Sequence, residues 1–280
     1  MHSAGVDRFV KVMLPYVMLA IVAVSAVPVE AAFPRLSIIL PRGVQRGGDR
    51  ELTFQGDRLA DVEEVFFHSN DGFEVKSLTP VDDKSFKAVI HVPESCSLGE
   101  HIVQVRAKSG ITEYRSFWVG LLPVVDEAEP NGMLEEAQAV EWNTTVHGVV
   151  ESEDLDIYAV DAKQGDRISV EIEGLRLGSY RFDPHISIID ANKFQLAAAD
   201  DSPAVLQDGV ISVLAPEDGR YYVQVRESSY GGDGNSRYRL HVGNFPRPTS
   251  VYPAGGKAGE KLTVTFLGDA RGPLEREIEV

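Results

Sequence analysis

Pro216-Glu217-Asp218-Gly219-Arg220-Tyr221-Tyr222-Val223-Gln224-Val225 carries the clearest fold signal in the chain. Asp218-Gly219 is a turn dipeptide, and beyond it Tyr221, Val223 and Val225 alternate with Tyr222, Gln224 and Arg226. A period of two puts each set on its own face of a β-strand, so one apolar face meets a core. The same grammar recurs on both sides. Gly165-Asp166 leads into Ile168, Val170 and Ile172, which alternate with Ser169, Glu171 and Glu173, and Tyr238, Leu240 and Val242 alternate with Arg239 and His241. Nearer the N-terminus, Leu52-Thr53-Phe54 precedes Gly56-Asp57. Phe86, Ala88, Ile90 and Val92 alternate with Lys87, Val89 and His91 up to Pro93, and Val103, Val105 and Ala107 run to Ser109-Gly110. No segment sustains a helical period; Gly132 to Val140 has room only for a short helical turn capped by Asn131. The expected fold class is all-β, with an immunoglobulin-like sandwich of roughly seven short strands over residues 33–121 and a second β-sandwich over 127–243.

An internal repeat extends this layout. Phe33-Pro34-Arg35 recurs 212 positions later as Phe245-Pro246-Arg247. Pro41, Gly43 and Gly47 recur as Pro253, Gly255 and Gly259, and Thr53-Phe54-x-Gly56-Asp57 as Thr265-Phe266-x-Gly268-Asp269. Proline and glycine shape turns and phenylalanine fills cores, so the matched types have physical work in common. A second copy of the first module therefore starts at Phe245 and fills 245–280. The first copy needs about 88 residues. Either the chain is a fragment of a longer protein, the favoured expectation, or its last segment pairs differently.

Composition bounds the function. The formal net charge of -16 leaves no basic patch for phosphate, which argues against nucleic acid as a partner. The single cysteine, Cys96, excludes an intrachain disulfide and reads as a buried bystander. Arg8 and Lys11, the apolar run Val12 to Val27 and the small residues at Ala31-Ala32 read as an export signal over 1–31, with membrane attachment only if that segment is retained. The expected location is secreted, periplasmic or cell-surface.

An ordered series of motifs fills the second half. It runs Glu127-x-Glu129-Pro130-Asn131, Val146-His147-Gly148-Val149, Asp154-Leu155-Asp156-Ile157-Tyr158, Gly165-Asp166-Arg167-Ile168, Phe182-Asp183-Pro184, the Pro216 to Val225 stretch and Tyr238-Arg239-Leu240. The series resembles the bacterial pre-peptidase C-terminal (PPC) domain. The resemblance implies a jelly-roll-like β-sandwich for 127–243, of a kind found beside secreted proteases and in non-enzymatic surface proteins. The first module and its repeat resemble the TIG-like, immunoglobulin-like repeats of bacterial surface proteins, which implies a spacer or binding module without chemistry of its own.

The charge distribution singles out the acidic linker, 122–131. No Lys or Arg falls between Arg115 and Lys163, while eleven Asp and Glu lie from Asp126 to Asp161. Glu127, Glu129 and Asn131 are two apart and project to one side of an extended chain. Glu153, Asp154 and Asp156 lead into the strand at Ile157. At about 5 Å two carboxylates repel by roughly 3 kcal/mol at an effective dielectric near 20, so convergence of these groups calls for a cation. Calcium, with six to eight oxygen ligands, fits the donor types. The PPC resemblance implies the same, since matching positions bind calcium in collagenase members of that family. Gly132 departs from relatives that carry Asp or Asn there. An acidic, solvated linker is the alternative.

Catalysis finds little support. None of the seven histidines forms His-Glu-x-x-His, no nucleophile elbow or P-loop occurs, and the Asp183 and Asp200-Asp201 acids have ready turn roles. Tyr180, Phe182, Tyr222 and Tyr230 are expected on loops or on the solvent phase of strands, as a binding face for a protein or glycan. The expectation is an exported, non-enzymatic modular protein for adhesion, spacing or binding of an extracellular polymer or protein. The rival is an accessory region of a larger secreted hydrolase whose catalytic domain lies outside this chain. Oligomeric state is not legible.

Overall fold

The computed structural model describes residues 33–178 and 180–280, so the export signal read over 1–31 lies outside the described residues. These residues form strands, turns and one 3-10 turn, Leu175–Leu177, and the all-β expectation is borne out. The first sandwich packs the sheet Arg35–Leu40, Gly48–Asp57, Ser85–Val92 and Glu74–Pro80 against the sheet Gly43–Gln45, Arg115–Gly120, Gly99–Ala107 and Val62–Phe67. The alternating residues fill the space between. Leu52, Phe54, Phe86, Ile90, Val103 and Val105 are buried, and the Phe54 and Phe86 rings stack 4.6 Å apart. Each such side chain contributes about 1.5 to 3 kcal/mol of burial, which replaces the disulfide this chain cannot make. The strand tally exceeds seven because the first strand changes sheets. After Pro41 the chain crosses to pair Gly43–Gln45 in parallel with Arg115–Gly120, and a two-residue strand, Gly110–Ile111, folds back on Gly99–Ala107. Cys96 is buried in this core, and burial pushes its thiol up to about 11.

The central sandwich joins two five-stranded sheets. One runs Val124–Asp126, Thr144–Val149, Arg237–Gly243, Arg167–Glu173 and Val210–Leu214; the other runs Gln138–Ala139, Asp156–Ala162, Gly219–Glu227, Pro184–Asp190 and Gln195–Ala199. Its core contains the three alternating sets read from the sequence. The segment 132–140 forms one turn and the Gln138–Ala139 strand in place of the expected helical turn, and Asn131 does not cap it.

The repeat is structural as well as textual. Ile38, Ile39 and Leu40 pair with Gln55, Phe54 and Thr53, and 212 positions on Ser250, Val251 and Tyr252 pair with Leu267, Phe266 and Thr265. The next strand departs from the first copy. Leu274–Glu279 stands where Val62–Phe67 would, yet it pairs with Lys261–Leu267 in the same sheet, whereas Val62–Phe67 pairs across with Gly99–Ala107.

Pro34–Val280 form one compact unit, and buried arginines join its parts. Arg42 of the first sandwich donates to the Ser116 carbonyl at 3.3 Å and to the carbonyl of Leu177 in the central sandwich, which also accepts the Ser116 hydroxyl at 2.6 Å. In return Arg239 of the central sandwich lies against Gly43 and Gly120. A Cβ on Gly43 would fall 2.9 Å from the Arg239 guanidinium carbon and 2.5 Å from the Trp118 carbonyl oxygen, so only glycine admits this approach. Behind it, Arg239 pairs with Glu173 at 2.6 Å, and His241 stands 3.4 Å from the same carboxylate. Burial would raise the Glu173 pKa, but Arg239 and His241 hold the carboxyl well below the usual range. Glu171 pairs with Arg176 at 2.8 Å and with Arg247, and Arg167 pairs with Asp269 at 2.8 Å, tying in the C-terminal segment. The alternation in Arg167–Glu173 therefore separates two buried faces, one apolar and one charged.

Candidate metal centre

Glu127 leaves the Val124–Asp126 strand, which runs parallel to Thr144–Val149. Its N–H donates to the His147 carbonyl at 2.9 Å, and its Oε1 accepts the Val149 N–H at 2.8 Å. Two residues on, Glu129 Oε2 accepts the Asn131 N–H at 2.9 Å, so the linker folds back on itself. The Asn131 carbonyl then accepts the Ile157 N–H at 3.1 Å, which pins the linker to the start of the Asp156–Ala162 strand. The result brings one carboxylate oxygen each from Glu127, Glu129 and Asp156 within 4.8 Å of one another.

Beside them, Asn131 is 0% exposed with neither amide atom hydrogen-bonded, and Asp156 Oδ1 is buried without a donor. Orphaned buried polar atoms cost about 1 to 3 kcal/mol each, so two partnerless oxygens next to three carboxylates fit a hard cation. A cation engages those oxygens; it does not account for the Asn131 Nδ2 donor. Without a counter-charge, burial is the main cause that raises Glu127 to about 7, aided by Glu129 and Asp154. Burial likewise raises Asp156 to about 8, aided by Glu127, Asp154 and Glu129.

The remaining sequence candidates fall outside the cluster. Asp154 spends both oxygens on its own turn, accepting the Glu151 N–H at 3.1 Å and the Leu155 N–H at 2.9 Å. Glu153 is exposed, and its N–H donates to the Tyr230 carbonyl at 3.1 Å. Glu153 has φ at 62°, and Asp154, half-buried and close enough to raise Glu127 and Asp156, keeps its oxygens on its own turn. Gly132 lies 3.4 Å, at its Cβ position, from the Leu155 carbonyl.

Sequence reasoning missed the floor of the site. Tyr238 donates to Asp156 Oδ2 at 2.5 Å, lies 3.4 Å from Glu127 Oε2, and shares a short hydrogen bond with the Tyr158 hydroxyl. Tyr238 read as a core residue from its alternation and Tyr158 only as the end of a motif, and both rings are buried; only the pairing of strands brings the hydroxyls together. Gly148 makes this fit possible, since a Cβ there would meet Tyr238 Cζ at 2.2 Å and Glu127 Oε2 at 2.5 Å. Gly148→Ala is therefore expected to weaken calcium binding at least tenfold and to lower the melting temperature even in chelator. Titration calorimetry and melting curves check both.

The aromatic face is corrected at one position and dispersed at the rest. Phe182 is 2% exposed and packs against Tyr238, because the chain turns it inward over Gly174. Tyr180 and Tyr230 are exposed; the Tyr180 hydroxyl donates to Asp233 at 2.9 Å, and Arg226 covers the Tyr230 ring at 4.5 Å. Tyr222 is half-buried near the start of Gly219–Glu227. At about 3.3 Å per residue, the rest of that strand stands between it and Tyr230.

The family model described as the bacterial pre-peptidase C-terminal domain matches residues 154–227. This bears out the resemblance carried by the central motifs; the span includes Asp156 but not Glu127 to Asn131. Among solved structures, the pre-peptidase C-terminal domain of a Bacillus anthracis collagenase is 18% identical, with 41% of this chain and 99% of that chain covered and a TM-score of 0.31. Aeromonas hydrophila PliG, a periplasmic inhibitor of g-type lysozyme, is 16% identical over 44% of this chain and 96% of that one, with a TM-score of 0.28. The Bacteroides ovatus mixed-linkage glucan utilization locus SGBP-B, in complex with a heptasaccharide, is 9% identical over 75% and 52%, with a TM-score of 0.27. Comparison with curated proteins gives no match.

Proposed function

We propose that this chain is an exported, non-catalytic modular protein whose β-sandwiches bind or space an extracellular polymer or protein, and that calcium braces the joint at Glu127 to Asn131. The observation that carries the calcium reading is the convergence of Glu127, Glu129 and Asp156, with the Asn131 amide oxygen and Asp156 Oδ1 buried and left without a hydrogen bond. Three carboxylates and one amide oxygen form the core of a calcium shell, and water completes six to eight ligands. The bound ion supplies charge neutralisation; the chain supplies the fixed oxygens and the Tyr238 hydroxyl that orients Asp156. The export reading rests on the N-terminal signal pattern. The binding role rests on the family match, whose members stand beside secreted enzymes and on surface proteins.

Calorimetric titration of the wild type and Glu129→Ala, with melting in calcium and in chelator, tests the joint. The wild type is expected to bind calcium at least tenfold tighter than Glu129→Ala and to melt higher in calcium. Equal affinity with unmoved melting would overturn the reading.

The pKa shifts add a signed prediction. Burial raises Glu127 to about 7 and Asp156 to about 8 in the metal-free fold, from ordinary values of 4.5 and 3.8. The metal-free folded state therefore holds more protons than the unfolded chain between about pH 4 and 8, and this site's contribution to stability falls as pH rises through that window. Calcium requires both groups ionised, so its affinity rises with pH over the same range. The gain in melting temperature on adding calcium is expected to be larger at pH 8 than at pH 5.5. An equal gain at both pH values contradicts this assignment.

A further inference from the structure

Between the first and central sandwiches lies a cleft of about 750 Å³, within the size range of small-molecule sites. Its lining includes Arg42, Arg50, Arg237, Thr53 and His147, together with the carboxylates Glu51, Asp126 and Glu127. Glu51 is paired with Lys87 at 2.7 Å, Asp126 projects almost fully into solvent, and Glu127 faces the carboxylate cluster. The arginines are not neutralised in this way. Arg42 is 3% exposed, its terminal nitrogens donate only to carbonyls and a hydroxyl, and its Nε is buried without a partner. Arg50 donates only to the carbonyls of Asp49 and Gly47. Arg237 makes no side-chain hydrogen bond or ion pair among the described residues; both ring nitrogens of His147 are buried without a hydrogen bond, and its Nδ1 stands 3.9 Å from Asp126.

In a chain of net charge -16, two guanidinium groups on one cleft, Arg50 and Arg237, without a carboxylate partner and with N–H groups to spare suit an anion. Burial, then Arg239, Arg115 and Arg237, lowers Arg42 to about 10 against an opposing pull from Glu100. Planar guanidinium forks match planar oxyanions. The nearby Asp126 and Glu127 repel a dianion about twice as strongly as a monoanion, which favours a carboxylate over a phosphate.

We propose that this cleft binds a small ligand bearing a carboxylate, with Arg237 and Arg50 gripping the carboxylate and the buried Arg42 adding positive charge behind them. The site is separate from the calcium reading, although Glu127 borders both.

D-glucuronate and D-glucose, which share a ring and differ by one carboxylate, are the probes. Each is titrated into the full chain by calorimetry, once in millimolar calcium and once in chelator, so that failure of the calcium site does not decide the result. Glucuronate is expected to bind at least tenfold tighter than glucose in one or both conditions, and Arg237→Ala is expected to abolish that preference. Equal affinities in both conditions, or a preference that survives Arg237→Ala, would overturn the proposal. In the wild-type chain, glucuronate but not glucose is also expected to slow modification of Arg237 by phenylglyoxal, read by mass spectrometry. Modification at an unchanged rate would overturn it too, independently of how the variant folds.

Discussion

Asp156→Asn is expected to melt several degrees higher than the wild type in chelator at pH 8 and lower than the wild type in millimolar calcium. The opposite signs follow from one geometry. Asn keeps an oxygen where Tyr238 donates to Asp156 Oδ2 at 2.5 Å, so the buried hydrogen bond survives. What disappears is a charge that burial and its neighbours Glu127, Asp154 and Glu129 disfavour so strongly that the carboxyl titrates near 8. Without metal, losing that charge relieves repulsion. With metal, the same loss removes a ligand. A site of about 10 µM affinity in about 1 mM calcium contributes about 2.7 kcal/mol, which corresponds to roughly 5 to 10 °C for a domain of this size. Melting curves of both proteins in both buffers settle the matter: a shift of the same sign in calcium and chelator would leave Asp156 a structural residue only.

The second large effect sits at the buried junction of the sandwiches. Arg239→Met removes the guanidinium 2.6 Å from Glu173 and leaves that carboxylate, 9% exposed at its side chain, facing His241 alone. Breaking a buried pair from one side costs about 3 to 5 kcal/mol, because the remaining charge has lost its compensation. Denaturant titration is expected to show a loss of that size, and Arg239→Met with Glu173→Leu is expected to recover much of it. Because Arg239 also rests on Gly43 and Gly120, the single variant is expected to loosen the two sandwiches and to speed proteolysis in the 122–131 linker. A single-variant loss below about 1 kcal/mol would show that the pair only offsets its own desolvation.

Much of the architecture was legible because apolar alternation and turn dipeptides are local. Tyr221, Val223 and Val225 announced one strand, and the copied Pro-x-Gly and Thr-Phe-x-Gly-Asp positions announced a repeat whose strand register the structure reproduces. Local pattern failed where a residue's partner lay far along the chain. Glu171 and Glu173 read as the solvent phase of a strand, yet Arg176, Arg239 and Arg247 bury them. Phe182 read as a loop aromatic and is buried because Gly174 leaves room for its ring.

For the acidic linker the division is the same. Residue types and spacing determined that Glu127, Glu129 and Asn131 share one side of an extended segment and that so many carboxylates need a counter-charge or water around them. Only the tertiary structure decided which later acid joins them: Asp154 turns its oxygens onto the Glu151 and Leu155 N–H groups, and the strand that follows carries Asp156 inward onto Tyr238. Charge density is a property of sequence, but the dielectric around each charge is set by what folds over it, and that dielectric separates a ligand from a solvated acid.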